Sequence, residues 1–310
     1  MELNELLQGA GQPGITAAIE AALMRDGYLL FSGERLQAVH QAMARWDGFT
    51  ALPIDQRQRF HQSVRDGDRH GGWSLMREHE VYSSHMSQAE LESTEPKQEY
   101  GFGVDSGKTL WPDEAVAPGF AQSVKDATAL LDATAQALLG VFERVLGREA
   151  GFLKYEPGYV ALKHYPGTAP AAREAGGAGL HEHSDAVVFT MFSQSVEALQ
   201  LRRRDGGWFT VPADPGGCLV IAPGDWMELF TNGQIPAVRH RVMEAEQARM
   251  SLAFFQNVAP MPVGPLARFV GADEAARYPT VASDIDYVGG ESGVPRWQTA
   301  VVETGTAGVV

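Results

Sequence analysis

The chain has 310 residues, 44% of them hydrophobic and 21% charged, with 39 acidic against 25 basic side chains and a formal charge of -14. That balance argues against a nucleic-acid backbone as partner, which needs an excess of Lys and Arg to displace condensed counterions. No run is both apolar and long enough to span a bilayer, and the single Cys218 excludes an internal disulfide and a cysteine-rich metal cluster.

In chain order, the first half reads as helices with short strands between them. Apolar residues at helical spacing run from Ile15 to Arg25, Asp26-Gly27 breaks them, and Tyr28 to Phe31 is a short strand. A second helix is expected over Arg35 to Trp46, and Pro53-Ile54-Asp55 opens a third. The clearest helix runs from Phe120 to Leu146 on Val124, Leu130, Leu131, Leu138, Val141, Phe142 and Val145, with Gly147 as its C-terminal stop.

The pattern changes near Gly151. Five β-prone runs follow: Tyr159 to His164, Ala186 to Phe192, Glu197 to Leu201, Cys218 to Ala222 and Met250 to Phe255. The small-residue stretch Ala169 to Gly179 reads as a loop. Turns are marked by Pro166-Gly167, Asp205-Gly206-Gly207, Asp214-Pro215-Gly216-Gly217, Pro223-Gly224-Asp225 and Asn232-Gly233. No long helix interrupts these strands, which points away from alternating β-α units and toward a mostly β fold with flanking helices. The expected architecture is a double-stranded β-helix, or jelly roll, with an N-terminal helical cap. Residues 1–150 form the cap region and residues 151–310 the jelly-roll core and a closing segment, as one compact unit. The long helix is expected to brace the outside of a sheet.

Within His181-Glu182-His183-Ser184-Asp185, side chains two apart share a strand face, so His183 and Asp185 can point at one ion. His181 shares that face, but Asp185 would then lie too far along to complete its pair. The segment lacks the second histidine of a zincin and the following glutamate of a His-x-His cupin site. His240, beyond two β segments, adds a second imidazole. Two imidazoles and one carboxylate leave positions open on Fe(II), as oxygen chemistry requires, although zinc accepts the same ligands. Arg249 and Ser251 again lie two apart, and a guanidinium with a hydroxyl suits a carboxylate.

These residues carry a resemblance. His183-Ser184-Asp185, Gly206-Gly207-Trp208-Phe209-Thr210-Val211-Pro212, Pro215-Gly216, Gly224-Asp225, Thr231-Asn232-Gly233, His240-Arg241-Val242 and Arg249-Met250-Ser251 match in order and spacing. The segment Leu180 to Pro260 resembles the isopenicillin N synthase-like family of Fe(II)/2-oxoglutarate-dependent oxygenases. Asp26-Gly27-Tyr28, Gly72-Trp73 and Lys97-Gln98-Glu99-Tyr100 resemble its cap more loosely. The resemblance implies catalytic iron on His183, Asp185 and His240, with O2 and 2-oxoglutarate as co-substrates. It gives the far carboxylate of 2-oxoglutarate to Arg249, Ser251 and Tyr165. One departure stands out: many members carry Asn where this chain has Lys163.

The expected reaction is hydroxylation, desaturation or cyclisation of a small organic molecule, amino-acid or peptide-like, in secondary metabolism. Two other readings stay open: an Fe(II) oxidase of the same fold that works without 2-oxoglutarate, and a binding protein with structural histidines. Cap and closing segments point to Trp73, Arg77, Tyr100, Phe102, Phe255, Asn257 and Tyr287 as substrate contacts, with Arg77 paired to a substrate carboxylate. Glu2 and Glu5 precede any basic residue, so no secretory signal is read. A reduced, cytoplasmic protein is expected, as a monomer or weak homo-oligomer, without nucleic-acid or membrane partners.

Overall fold

A computed structural model describes residues 1–65, 68–75, 97–168, 179–213, 217–272 and 274–283. Four helices, α1 (Leu3–Gly9), α2 (Pro13–Asp26), α3 (Gln37–Thr50) and α4 (Ile54–Gln58), alternate with β1 (Leu29–Ser32) in the first sixty residues. Short strands follow: β2 (Ser63–Arg65), β3 (Asp68–His70), β4 (Gly72–Leu75) and β5 (Gln98–Gly103). After the long α5 (Phe120–Val145) come β6 (Tyr159–Tyr165), β7 (Leu180–His183), β8 (Phe189–Gln194), β9 (Leu199–Arg202) and β10 (Trp208–Thr210). The chain continues through β11 (Cys218–Pro223), α6 (Asp225–Phe230), β12 (His240–Val242), β13 (Arg249–Gln256), β14 (Pro262–Val263) and β15 (Val281–Ala282).

Local chemistry sets the helix ends. Gly27, at φ 88°, takes the left-handed conformation that stops α2, and its N–H donates to the Leu23 carbonyl. Gly147 does the same beyond α5, at φ 66°. One stripe of α5, including Phe120, Val124, Leu131, Leu138, Val141 and Phe142, is buried, as its spacing predicts; Leu130 is half-buried at its border.

The strands form a major sheet in the order β1-β11-β8-β13-β6-β5-β4 and a minor sheet in the order β10-β9-β12-β7. This is the mixed fold of a double-stranded β-helix with flanking helices, as the turn-rich second half led one to expect. The major sheet draws β1, β4 and β5 from before residue 151, so the first half contributes strands as well as helices. Alternate residues of β13 serve two layers. Leu252 and Phe254 join the large core that includes α3 and α5, while Ala253 and the flanking Phe255 join a smaller core with Phe192, Leu199 and Leu201.

Two strand expectations need adjusting. The run Ala186 to Phe192 becomes β8 only from Phe189, because the Val187 and Val188 carbonyls accept the Trp226 and Gly224 N–H groups at the entry to α6. Pro223-Gly224-Asp225 therefore opens a helix rather than a simple turn. Most of the expected loop Ala169 to Gly179 and the turn at Asp214-Pro215-Gly216 lie outside the described residues.

An aromatic cluster closes the helix side of the major sheet. Phe120 lies 5.2 Å from Phe49, 6.1 Å from Trp46 and 5.1 Å from Tyr100, centroid to centroid. Phe120→Ala removes the ring these three share and is expected to cost about 3–5 kcal/mol, read as a lower urea midpoint with an unchanged slope.

Candidate metal centre

The minor sheet brings the two distant histidines together. His240 on β12 stands directly opposite His183 at the end of β7, and the two rings lie 4.2 Å apart at 53°. Asp185, just past β7, reaches both: its two carboxylate oxygens lie 3.7 Å from His183 Nε2 and 3.7 Å from His240 Nε2. The three donor atoms are all within 4.8 Å of one another.

Each imidazole is held from behind. His183 Nδ1 is 2.8 Å from the His181 carbonyl, and His240 Nδ1 is 3.1 Å from the Val238 carbonyl. A carbonyl can only accept, so each Nδ1 carries a proton, and each ring turns its Nε2 toward Asp185. Thr190 Oγ1 donates to Asp185 Oδ2 at 2.5 Å. Phe192 packs its ring 4.9 Å from His240.

The electrostatics suit a cation. Burial, then the neighbouring His240, lower the His183 pKa and keep its ring neutral. Burial alone would raise Asp185, but His240, His183 and the Thr190 hydrogen bond together bring it below its ordinary value. Two imidazole nitrogens and a carboxylate, preset by outside hydrogen bonds, fit a divalent metal ion. His181 contributes its carbonyl and is not among the three clustered donors.

Gly224 fixes the carboxylate's backbone. A Cβ there would meet the Val187 carbonyl oxygen at 2.3 Å and that of Asp185 at 2.6 Å, so only glycine allows this approach. Asp225 N–H donates to the Asp185 carbonyl at 2.9 Å. The Asp225 side chain is itself buried, and burial pushes its pKa up to about 7 against the counteracting hydrogen bond of Ser184.

A cavity opens beside the three donors, lined in part by Lys163, Tyr165, Arg249, Ser251, Phe192 and Phe255. The register explains this set. On the major sheet Arg249 pairs with Tyr165, Ser251 with Lys163 and Gln194, and Phe255 with Tyr159. Arg249 is 3% exposed; its guanidinium sits 4.3 Å over the Tyr165 ring and donates to the Met243 carbonyl at 3.0 Å. Lys163 and Lys97 are also buried, with their ammonium groups 5.7 Å from the Phe255 ring and 5.4 Å from the Tyr165 ring.

Of the expected substrate contacts, Phe255 lines this cavity. Trp73, Tyr100 and Phe102 do not. Tyr100 pairs with Leu162 and Phe102 with Val160, on the sheet face turned toward the helices, and both rings pack against Trp111. Trp73 donates its Nε1 to Gln98 Oε1 and lies under the Arg57 guanidinium. Asn257 is structural: its Oδ1 accepts from Trp226 Nε1 and from the Val258 N–H. Arg77 and Tyr287 lie outside the described residues. Motif reading passed over Thr190, whose only sequence signal is its place in the strand after Asp185.

Known proteins share this arrangement in part. The signature of the 2OG-Fe(II) oxygenase superfamily matches residues 157–258. The oxoglutarate-dependent flavonoid 7-O-demethylase 1 of Ocimum basilicum is 29% identical over 300 residues, covering 91% of this chain and 71% of that protein. The 1-aminocyclopropane-1-carboxylate oxidase 3 of Arabidopsis thaliana is 33% identical over 177 residues, 54% of this chain and 53% of the oxidase. The crystal structure of the dioxygenase for auxin oxidation in rice superposes with a TM-score of 0.69 at 20% identity, covering 98% of this chain and 95% of that one. At that identity the likeness is one of fold.

Two outcomes are expected here. Thr190→Val should weaken metal binding by about tenfold to a hundredfold, measured by competition with a chelator. Between the ordinary carboxyl value of 3.8 and about 7, folded Asp225 holds its proton more than the unfolded chain does. Stability of the metal-free protein should therefore fall as pH rises through that window and level off above it. Asp225→Asn should flatten that slope in thermal unfolding across pH 5 to 8.

Proposed function

We propose that the chain is a non-haem iron enzyme of the 2OG-Fe(II) oxygenase superfamily that oxidises a small organic substrate, with His183, Asp185 and His240 holding its metal. The observation that carries this assignment is the convergence of those three side chains within 4.8 Å beside a cavity. When bound, iron and 2-oxoglutarate supply O2-driven oxidation of a C–H bond, with the keto acid released as succinate and CO2.

The residues around the site divide the remaining work. Arg249 and Ser251, two apart on β13, receive the far carboxylate of 2-oxoglutarate, and Tyr165 adds its hydroxyl. Arg249 and Tyr165 are buried, so a charge-assisted hydrogen bond there is little screened by water. Lys163, standing opposite Ser251, adds a second positive charge where the co-substrate is anionic. Leu199, Phe192, Val242 and Ala253 line the same cavity and keep water from the oxidising centre. Thr190 and the two carbonyls behind the histidines keep the donors in place before the metal arrives.

The order of the motifs favours the isopenicillin N synthase-like branch. Cationic Lys97, Lys163 and Arg249 in an acidic chain favour an anionic small molecule, amino-acid or peptide-like. Among the described residues no helix is long and apolar enough to cross a membrane, and with one cysteine a reducing cytoplasm suits the chain. We read it as a monomer or weak homo-oligomer, with residues 1–150 as cap and 151–310 as catalytic core.

Anaerobic addition of Fe(II) and 2-oxoglutarate should produce a visible charge-transfer band that His183→Ala and His240→Ala abolish. Arg249→Lys keeps the charge but loses the planar fork, so the KM for 2-oxoglutarate should rise roughly tenfold or more while iron still binds. Oxygen uptake that ignores 2-oxoglutarate would instead place the enzyme with the oxidases that dispense with it.

A further inference from the structure

Glu99 is a buried acid that the metal centre does not use. It lies on β5 directly opposite Lys163, which in turn stands opposite Ser251, so the three share one sheet face. That face carries the cavity, which Lys163 and Ser251 line. The Glu99 side chain belongs to a residue only 4% exposed. Its Oε1 accepts from the Tyr159 hydroxyl at 3.3 Å, whereas its buried Oε2 has no hydrogen-bond partner. The Tyr159 ring is 6.3 Å from that of Phe255, another residue of the cavity wall. At Gly101, next along the same face, a Cβ would overlap the Tyr159 hydroxyl and come within 2.8 Å of Glu99 Oε1 and of Gln62 Nε2, so glycine lets these three groups gather.

A carboxylate oxygen withdrawn from water without a donor is costly, and a fold keeps one where something arrives to satisfy it. Two strand spacings, about 10 Å, separate Glu99 from the Ser251 row, a span that a small molecule bridges. A cation answers a buried anion better than a neutral donor does, because the hydrogen bond is charge-assisted. We propose that Glu99 is a specificity-determining residue that binds the protonated amine of the substrate, and that the substrate class is a free amino acid. This deepens the oxygenase reading and rests on it.

The test loads the full-length protein anaerobically with Fe(II) and 2-oxoglutarate. The common L-amino acids and their N-acetyl derivatives are then titrated by calorimetry into wild type and Glu99→Gln. At least one free amino acid should bind wild type, its N-acetyl form should not, and Glu99→Gln should weaken binding by about ten- to a hundredfold. The charge-transfer band should be unchanged in Glu99→Gln, and the thermal midpoint of its ligand-free form should rise, because burying a neutral amide costs less than burying a carboxylate. A structural Glu99 would give a lower midpoint. The proposal is overturned by a lower midpoint, by no binding of any free amino acid, or by N-acetyl forms binding equally to both proteins. If the band never forms in wild type, the iron and keto-acid reading fails first and takes this proposal with it.

Discussion

The direct pairing of His240 with His183 across β12 and β7 is the contact on which the site depends. Residues far apart in the chain become cross-strand neighbours, where side chains stand close enough to share one ion. Once that pair is set, Asp185 needs only to leave the end of β7 at the right angle. Gly224 provides the angle by letting two carbonyls press against its α-carbon, and the Asp225 N–H pins one of them. The donor set is thus a product of backbone pairing, and the side chains add the final tuning through Thr190 and the carbonyls of His181 and Val238.

Charge is arranged against the general trend of the molecule. The chain is acidic overall, yet Arg249, Lys163 and Lys97 are all buried near one wall of the cavity. Aromatic rings of Tyr165 and Phe255 lie beside these cations. An anionic co-substrate thus meets a local field opposite in sign to the surroundings it crossed. Such a field favours an anion at this wall over a neutral molecule of the same shape.

Much of this was written in residue patterns. The long apolar stripe of α5, the glycine stops after α2 and α5, and the turn-rich second half each follow from local rules. His183 with Asp185, and Arg249 with Ser251, could be singled out because side chains two apart share a strand face, and His240 because it adds the second imidazole. The placement of Trp73, Tyr100 and Phe102 could not be read in the same way. An aromatic residue in a strand serves either face equally well, and which face is the cavity depends on register with β6, a nonlocal fact. The same parity that turns Tyr100 toward the helices turns Glu99 toward Lys163. The helix α6 was hidden for another reason, since Pro-Gly-Asp is turn chemistry and a helix cap at once.

The two-sidedness of β13 has a consequence for how such a protein can change. Leu252 and Phe254 belong to the layer beneath the helices, and Arg249, Ser251, Ala253 and Phe255 to the cavity wall. Insertion or deletion of one residue in this strand would exchange the two sets wholesale, sending guanidinium into hydrocarbon and hydrocarbon into the reaction chamber. Divergence toward new substrates is therefore channelled away from the central strand.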